Sequence, residues 1–173
     1  MHYLLVRVLE AAGVRYAEIE PVFLAPADAR VAFERKQVDA WAIWDPFLAA
    51  AEASTGARTL VDGTGLVANH QFYLAADRFV AGQQELVRGV IAELAEVNAW
   101  VSRDIPAAAR ELSPAIGIPA PILEIALRRQ SYGVSPLSAA VVAEQQRVAD
   151  AFHGLGLVPR PVRVADIVRS LGA

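Results

Sequence analysis

The sequence predicts an α/β protein, and three observations carry that prediction. Helical and β-rich apolar segments alternate over residues 2–61, which argues for parallel strands covered by helices. Two of the strand-to-helix joints, at Ala25–Pro26 and Asp45–Pro46, carry the proline that favours a helix start. Beyond residue 76 the pattern turns almost wholly helical, so the helices outnumber the strands available to cover them.

The elements follow in chain order. Residues 2–12, HYLLVRVLEAA, read as an amphipathic helix closed by Gly13. IEPVFL (19–24) reads as a short strand, and Pro26 then opens a helix with Asp28 in its first turn that runs to about Lys36. VDAWAIW (38–44) is the next strand. Asp45 is placed as N-cap and Pro46 as first residue of a helix over 46–55 that Gly56 ends. RTLV (58–61) is a third strand, DGTGLVANH (62–70) a turn-rich stretch, and QFYLAA (71–76) a fourth strand. Val87, Val90, Ile91, Leu94, Val97 and Val101 hold a helical period through 83–103. Further helices are predicted at about 105–113, 120–130 and 137–153, separated by Pro and Gly, with a short last helix in the Pro-punctuated tail. A helix buries one face against something, and the sheet that helices 83–153 would cover is not evident in this sequence.

Composition removes several function classes. The chain has 173 residues, 55% of them hydrophobic, enough for one domain or one domain and part of another. Net charge is −3, and no Lys/Arg run interleaves with aromatics, which excludes nucleic acid as a partner. There is no cysteine, so disulfides, zinc thiolates and Cys nucleophiles are excluded. No apolar run reaches the roughly 18 residues of a membrane helix. Met1 leads straight into a helical pattern, so no signal peptide is visible. His2, His70 and His153 stand far apart without carboxylates at ligand spacing, and no metal or other cofactor is expected. Ser54, Ser113 and Ser138 lie in no nucleophile elbow, and Gly63 and Gly65 precede no Gly-Lys-Ser/Thr, so no catalytic residue is assigned.

The candidate site is a set of joints. In a parallel sheet the strand-to-helix turns lie at the carboxyl edge, where open α/β folds bind ligands. Trp44 would end its strand facing that edge or be a core aromatic. Asp45 would cap its helix or face the ligand. Trp41, three residues back, falls on the opposite face and reads as core. Ala25 and Pro26 present a second helix N-terminus, suited to an anion. Asn69, His70 and Gln71 offer neutral N–H donors, or simply close a turn. Of Arg128 and Arg129, about 100° apart on a helix, at most one would reach a ligand.

HYLLVRVLEAAGV, PVFLAPADARVAFERKQVDAWAIWDPFLAAAE, DGTGLVANHQFYLAA, LRRQSYGV and VVAEQQRVADAFHGLGLVPRPVRVAD together resemble the aliphatic sulfonate-binding proteins of bacterial ABC importers, of the type II periplasmic-binding-protein superfamily. The resemblance covers nearly the whole chain. It implies two α/β lobes that close on a ligand held in an inter-lobe cleft, here in incomplete form. Residues 1–70 would be the second α/β lobe without its first strand, 71–76 an inter-lobe crossing strand, and 77–173 the helical part of the first lobe. It further implies a signal peptide, first-lobe strands and a Gly-Ser-Asn turn ahead of the helix that starts at His2. In the family a Val often precedes that His, and its GTG codon also serves as a start, so a displaced start or a truncated gene is the expected cause.

The resemblance places Trp44 and Asp45 at the cleft-lining Trp-Asp-Pro, and Asn69, His70 and Gln71 at the crossing, with Ala25 and Pro26 contributing backbone. It implies a non-catalytic, periplasmic substrate-binding component, a small organic anion such as an alkanesulfonate as ligand, and importer membrane subunits as partners. Alternatives within the superfamily are a taurine, nitrate or thiamine-precursor binder, or a thiamine-pyrimidine-synthase-like enzyme using a lysine. Lys36, the only lysine, stands in a helix-end turn, which argues against the enzyme. Self-association through exposed apolar helices is also expected.

Overall fold

A computed structural model of the chain describes residues 1–169. It contains eight α-helices among those residues: α1 (His2–Ala11), α2 (Pro26–Glu34), α3 (Phe47–Thr55), α4 (Asp77–Gly82), α5 (Gln84–Arg103), α6 (Ile105–Ile116), α7 (Ala120–Arg128) and α8 (Ala139–Gly154). Two 3₁₀ turns, Tyr16–Glu18 and Val164–Ile167, complete the regular structure. By packing, the chain divides into one unit of residues 1–69 with 100–131 and a second of residues 70–99 with 132–173.

The helix expectations hold at most positions, for local reasons. Pro26 stands in the first turn of α2, and the left-handed Gly56 (φ 66°) and Gly117 (φ 73°) end α3 and α6. Asp104 caps α6 through the Ala107 N–H at 3.0 Å, and Ser138 caps α8 through the Val141 N–H at 3.3 Å. Pro114 does not stop α6 at residue 113 as predicted. It falls in the last turn, where one ladder bond to the exposed Arg110 carbonyl is lost, and the Gly117 N–H still reaches the Ser113 carbonyl at 2.9 Å. The short helix α4 was not anticipated, because six residues are too few to reveal a period.

The strands are the correction. None of the segments 19–24, 38–44, 58–61 and 71–76 forms a strand, and no strand occurs among the described residues. A β-ladder needs a neighbouring strand to take its N–H and C=O groups, and within the first unit the segments 19–24, 38–44 and 58–61 form no ladder among the described residues. Their apolar side chains stay in the open: Phe23 is 72% exposed, Leu60 68% and Leu74 90%. Burial nevertheless keeps a period of two in one place, where Ile43 is buried between the exposed Ala42 and Trp44.

Among the described residues, all the buried apolar ones belong to the first unit. Its centre is the pairing of α6 and α7, with Ala108, Ala109, Leu123 and Leu127 packed among Val101, Ile105, Leu112, Ile118 and Ala120. Small residues at 108 and 109 let the two helices approach closely, and the Ser113 hydroxyl fixes their turn by donating to the Ile118 carbonyl at 2.8 Å. α3, buried through Ala49 and Ala51, packs on α7 and on α2. The Arg30 guanidinium ties α2 to Ser54 of α3 at 3.1 Å.

The second unit has little interior. Leu86, Val90 and Val97 of α5 lie within one helical face and are each about half exposed (54%, 50% and 51%). Its tail is held by polar bonds: the Gln146 side chain donates to the Val162 carbonyl at 2.8 Å and accepts from the Val164 N–H at 2.9 Å. Arg169 forms a two-pronged pair with Asp77 at 2.9 and 3.1 Å.

Candidate functional site

The joint between residues 38–44 and α3 is the best-defined candidate. Trp44 is 48% exposed, with its indole edge-on to Phe47 at 6.0 Å between ring centroids. Trp41 is half-buried and packs against Phe33 of α2 at 6.0 Å. The two tryptophans therefore divide as strand alternation predicts, one inward and one outward. Pro46, joined to Asp45 by a cis peptide bond, is the N-cap residue of α3 in place of Asp45. The capping chemistry survives the one-residue shift, because an Asp45 carboxylate oxygen accepts from the Ala49 N–H at 3.1 Å. The Trp44 carbonyl accepts from the Leu48 N–H at 3.1 Å. Two of the first-turn donors of α3 are thus already satisfied.

The same Asp45 oxygen receives the Arg129 guanidinium at 3.5 Å, and Arg129 also donates to Glu52 of α3 at 2.7 Å. Thr59 donates its hydroxyl to the other Glu52 oxygen at 2.8 Å. The hydrogen bond from Arg129 is the main reason the Glu52 carboxyl titrates below its ordinary value, and the same bond raises Arg129. Sequence spacing left open which of the paired arginines has work to do. Arg128 turns back to Glu124 at 3.5 Å within α7, and Arg129, at the C-cap, crosses to α3.

Ala25 is the extended N-cap of α2, with Pro26 at the first helical position, and the Ala25 carbonyl accepts from Ala29 at 2.9 Å. Lys36 takes a left-handed backbone (φ 56°) just past the end of α2. In the first unit Asn69 is exposed and also left-handed (φ 52°), a conformation asparagine tolerates better than most residues.

In the second unit His70 and Gln71 are exposed. His70 Nε2 lies 3.4 Å from a Glu144 carboxylate oxygen on α8, and its ring stands 6.3 Å from Phe72. That carboxylate partner, 74 positions further along the chain (144 − 70 = 74), has no sequence signal. No group of His and carboxylates suited to a metal occurs among the described residues.

No family model matches the chain. Two curated relatives do. The chain is 40% identical over 164 residues to an aliphatic sulfonates-binding protein of Escherichia coli (strain K12), covering 94% of this chain and 51% of the relative. This chain is related to the aliphatic sulfonate-binding proteins. A second such protein, from Bacillus subtilis (strain 168), is 25% identical over 152 residues, 87% of this chain and 46% of that one. Among solved structures, the periplasmic aliphatic sulphonate binding protein SsuA from Escherichia coli matches at 38% identity and a TM-score of 0.89, covering 98% of this chain and 55% of that one. The alkanesulfonate-binding protein SsuA from Xanthomonas axonopodis pv. citri, bound to MOPS, matches at 38% identity and a TM-score of 0.90, over 97% of this chain and 58% of that one.

The chain thus spans about half the length of the aliphatic sulfonate-binding proteins it matches, and over that half it follows the SsuA backbone closely. The relatives are named as binding proteins.

Proposed function

We propose that this chain serves as part of the substrate-binding component of an ABC importer for aliphatic sulfonates, taking up a small organic anion without catalysis. The observation that carries the reading is 40% identity to an aliphatic sulfonates-binding protein over 94% of the chain. Within the first unit the ligand site is Trp44, with Asp45 beside it capping the start of α3 or accepting from a ligand amine, the backbone at Ala25–Pro26 opening α2, and Asn69. His70 and Gln71 are the corresponding candidates of the second unit. For a sulfonate with an alkyl tail, neutral N–H donors serve the oxygens and the exposed Trp44 face covers the tail.

In this reading residues 1–70 are the second lobe, 71–76 the crossing segment and 77–173 the helical part of the first lobe. The periplasm is the working compartment, and the importer's membrane subunits are the partners. The taurine-, nitrate- and thiamine-precursor-binding alternatives and the thiamine-pyrimidine-synthase-like enzyme are not favoured, since the named relatives bind aliphatic sulfonates. The half-exposed apolar face of α5, with Leu86, Val90 and Val97, also favours self-association of the chain through its apolar helices.

Thermal shift of the chain against alkanesulfonates of increasing length, taurine, nitrate and thiamine precursors tests the ligand class. Stabilisation that grows with alkyl length is the expected result. Stabilisation by none of the sulfonates overturns the reading.

A further inference from the structure

An anion site with a carboxylate beside its main aromatic poses an electrostatic problem. Asp45 directly follows Trp44, and a charged carboxylate there repels any anion that approaches the indole. The arrangement around Asp45 answers it. Its carboxylate is 14% exposed while Trp44 is 48% exposed, so the aromatic is the open group of the pair. One Asp45 oxygen is held by the Ala49 N–H at 3.1 Å and approached by Arg129 at 3.5 Å. Arg129 is in turn anchored by Glu52 at 2.7 Å, and Glu52 by Thr59 at 2.8 Å. A planar guanidinium reaching two carboxylates from the end of α7 sets a positive charge beside Asp45.

We infer that Arg129 is a positioning residue for the candidate anion site: it pins the Asp45 carboxylate at the start of α3 and offsets its charge, leaving the Trp44 indole accessible to anions. The inference deepens the sulfonate-binding reading and rests on it for its biological meaning. Arg129 touches no ligand in this scheme and acts through Asp45.

The test uses the full chain with Trp41 and Trp100 changed to Phe, so that Trp44 alone fluoresces. Quenching by iodide, an anion, is compared with quenching by acrylamide, which is neutral, and far-UV circular dichroism verifies the fold of each variant. At low salt Arg129→Gln is expected to lower the iodide quenching constant roughly twofold and leave the acrylamide constant unchanged. Adding Asp45→Asn to Arg129→Gln restores iodide quenching, and adding Glu52→Gln does not. Equal iodide quenching with and without Arg129 overturns the inference. So does a parallel change in both quenchers, which marks a shape effect, or restoration by Glu52→Gln in place of Asp45→Asn. No sulfonate is needed for this readout. A chain that passes it yet is stabilised by no sulfonate refutes the ligand class while leaving the role of Arg129 intact.

Discussion

Arg129 and Glu52, 77 residues apart in the chain, meet at 2.7 Å and join the end of α7 to α3. The same guanidinium reaches Asp45 at 3.5 Å, so one side chain braces both the body and the entrance of α3. Neither partner is deeply buried, with side-chain exposures of 39% and 29%, so the pair contributes modestly. A double-mutant cycle of Arg129→Ala and Glu52→Gln, read by urea unfolding, is expected to give a coupling of about 0.5–1 kcal/mol. Additive losses would show that the pair contributes nothing.

The pH dependence follows from the same bond. The hydrogen bond from Arg129 holds the Glu52 carboxyl below its ordinary value of 4.5. A lowered folded-state value means that the stabilisation is present above the unfolded value and is lost as pH falls through the folded one. The chain should therefore lose stability more steeply than Glu52→Gln between about pH 5 and pH 3. Parallel stability curves for the two proteins would contradict this.

The α6–α7 centre should be the most sensitive part of the chain. Ala109 is 0% exposed and Leu123 2% exposed within one cluster. Leu123→Ala is expected to cost about 2–5 kcal/mol through the cavity it leaves. Ala109→Leu is expected to cost about 1–3 kcal/mol by overpacking. Asp104→Ala, which removes the α6 cap, should cost about 1 kcal/mol. Denaturant midpoints rank the three.

Trp41 and Trp44 should separate stability from binding. Trp41 packs on Phe33, so Trp41→Ala is expected to destabilise the chain by roughly 1–3 kcal/mol. Trp44→Ala should cost less than about 1.5 kcal/mol, the scale of its edge-on contact with Phe47. On the proposed function, the affinity gained with each added methylene of an alkanesulfonate shrinks in Trp44→Ala. Titration calorimetry with butane- and octanesulfonate measures both.

Leu74 is 90% exposed, so its side chain is open to solvent along most of its surface. Leu74→Glu is expected to leave the thermal midpoint unchanged and to reduce association in light scattering. A lowered midpoint with unchanged association would reverse that assignment.

Much of the chain was legible from local pattern. The period of the apolar residues located α1 and α5, the prolines and glycines between them set off α6, α7 and α8, and Pro26, Pro46 and Gly56 marked the start of α2 and the two ends of α3. The error at the end of α6 came from treating Pro114 as a breaker when it lies in the last turn, where little is lost. The larger error was the strands. IEPVFL and QFYLAA have strand composition, but composition states only what a segment would do beside a neighbour. Likewise, the Trp44–Asp45 joint stood out by residue type, whereas the partners of Asp45 and His70 did not.

By itself the sequence determined the place of most of the helices, Trp41 as an inward residue, and the kinship with the aliphatic sulfonate-binding proteins. Each of these depends on residues close together in the chain or on identity position by position. Only the tertiary structure decided that Arg129 and not Arg128 reaches Asp45, that Glu144 stands beside His70, and that Phe23, Leu60 and Leu74 stay open. Those outcomes depend on which elements pack together. Contacts over 77 or 84 residues leave no periodic mark, because the spacing of two side chains across a packed pair of helices is not written in either helix alone.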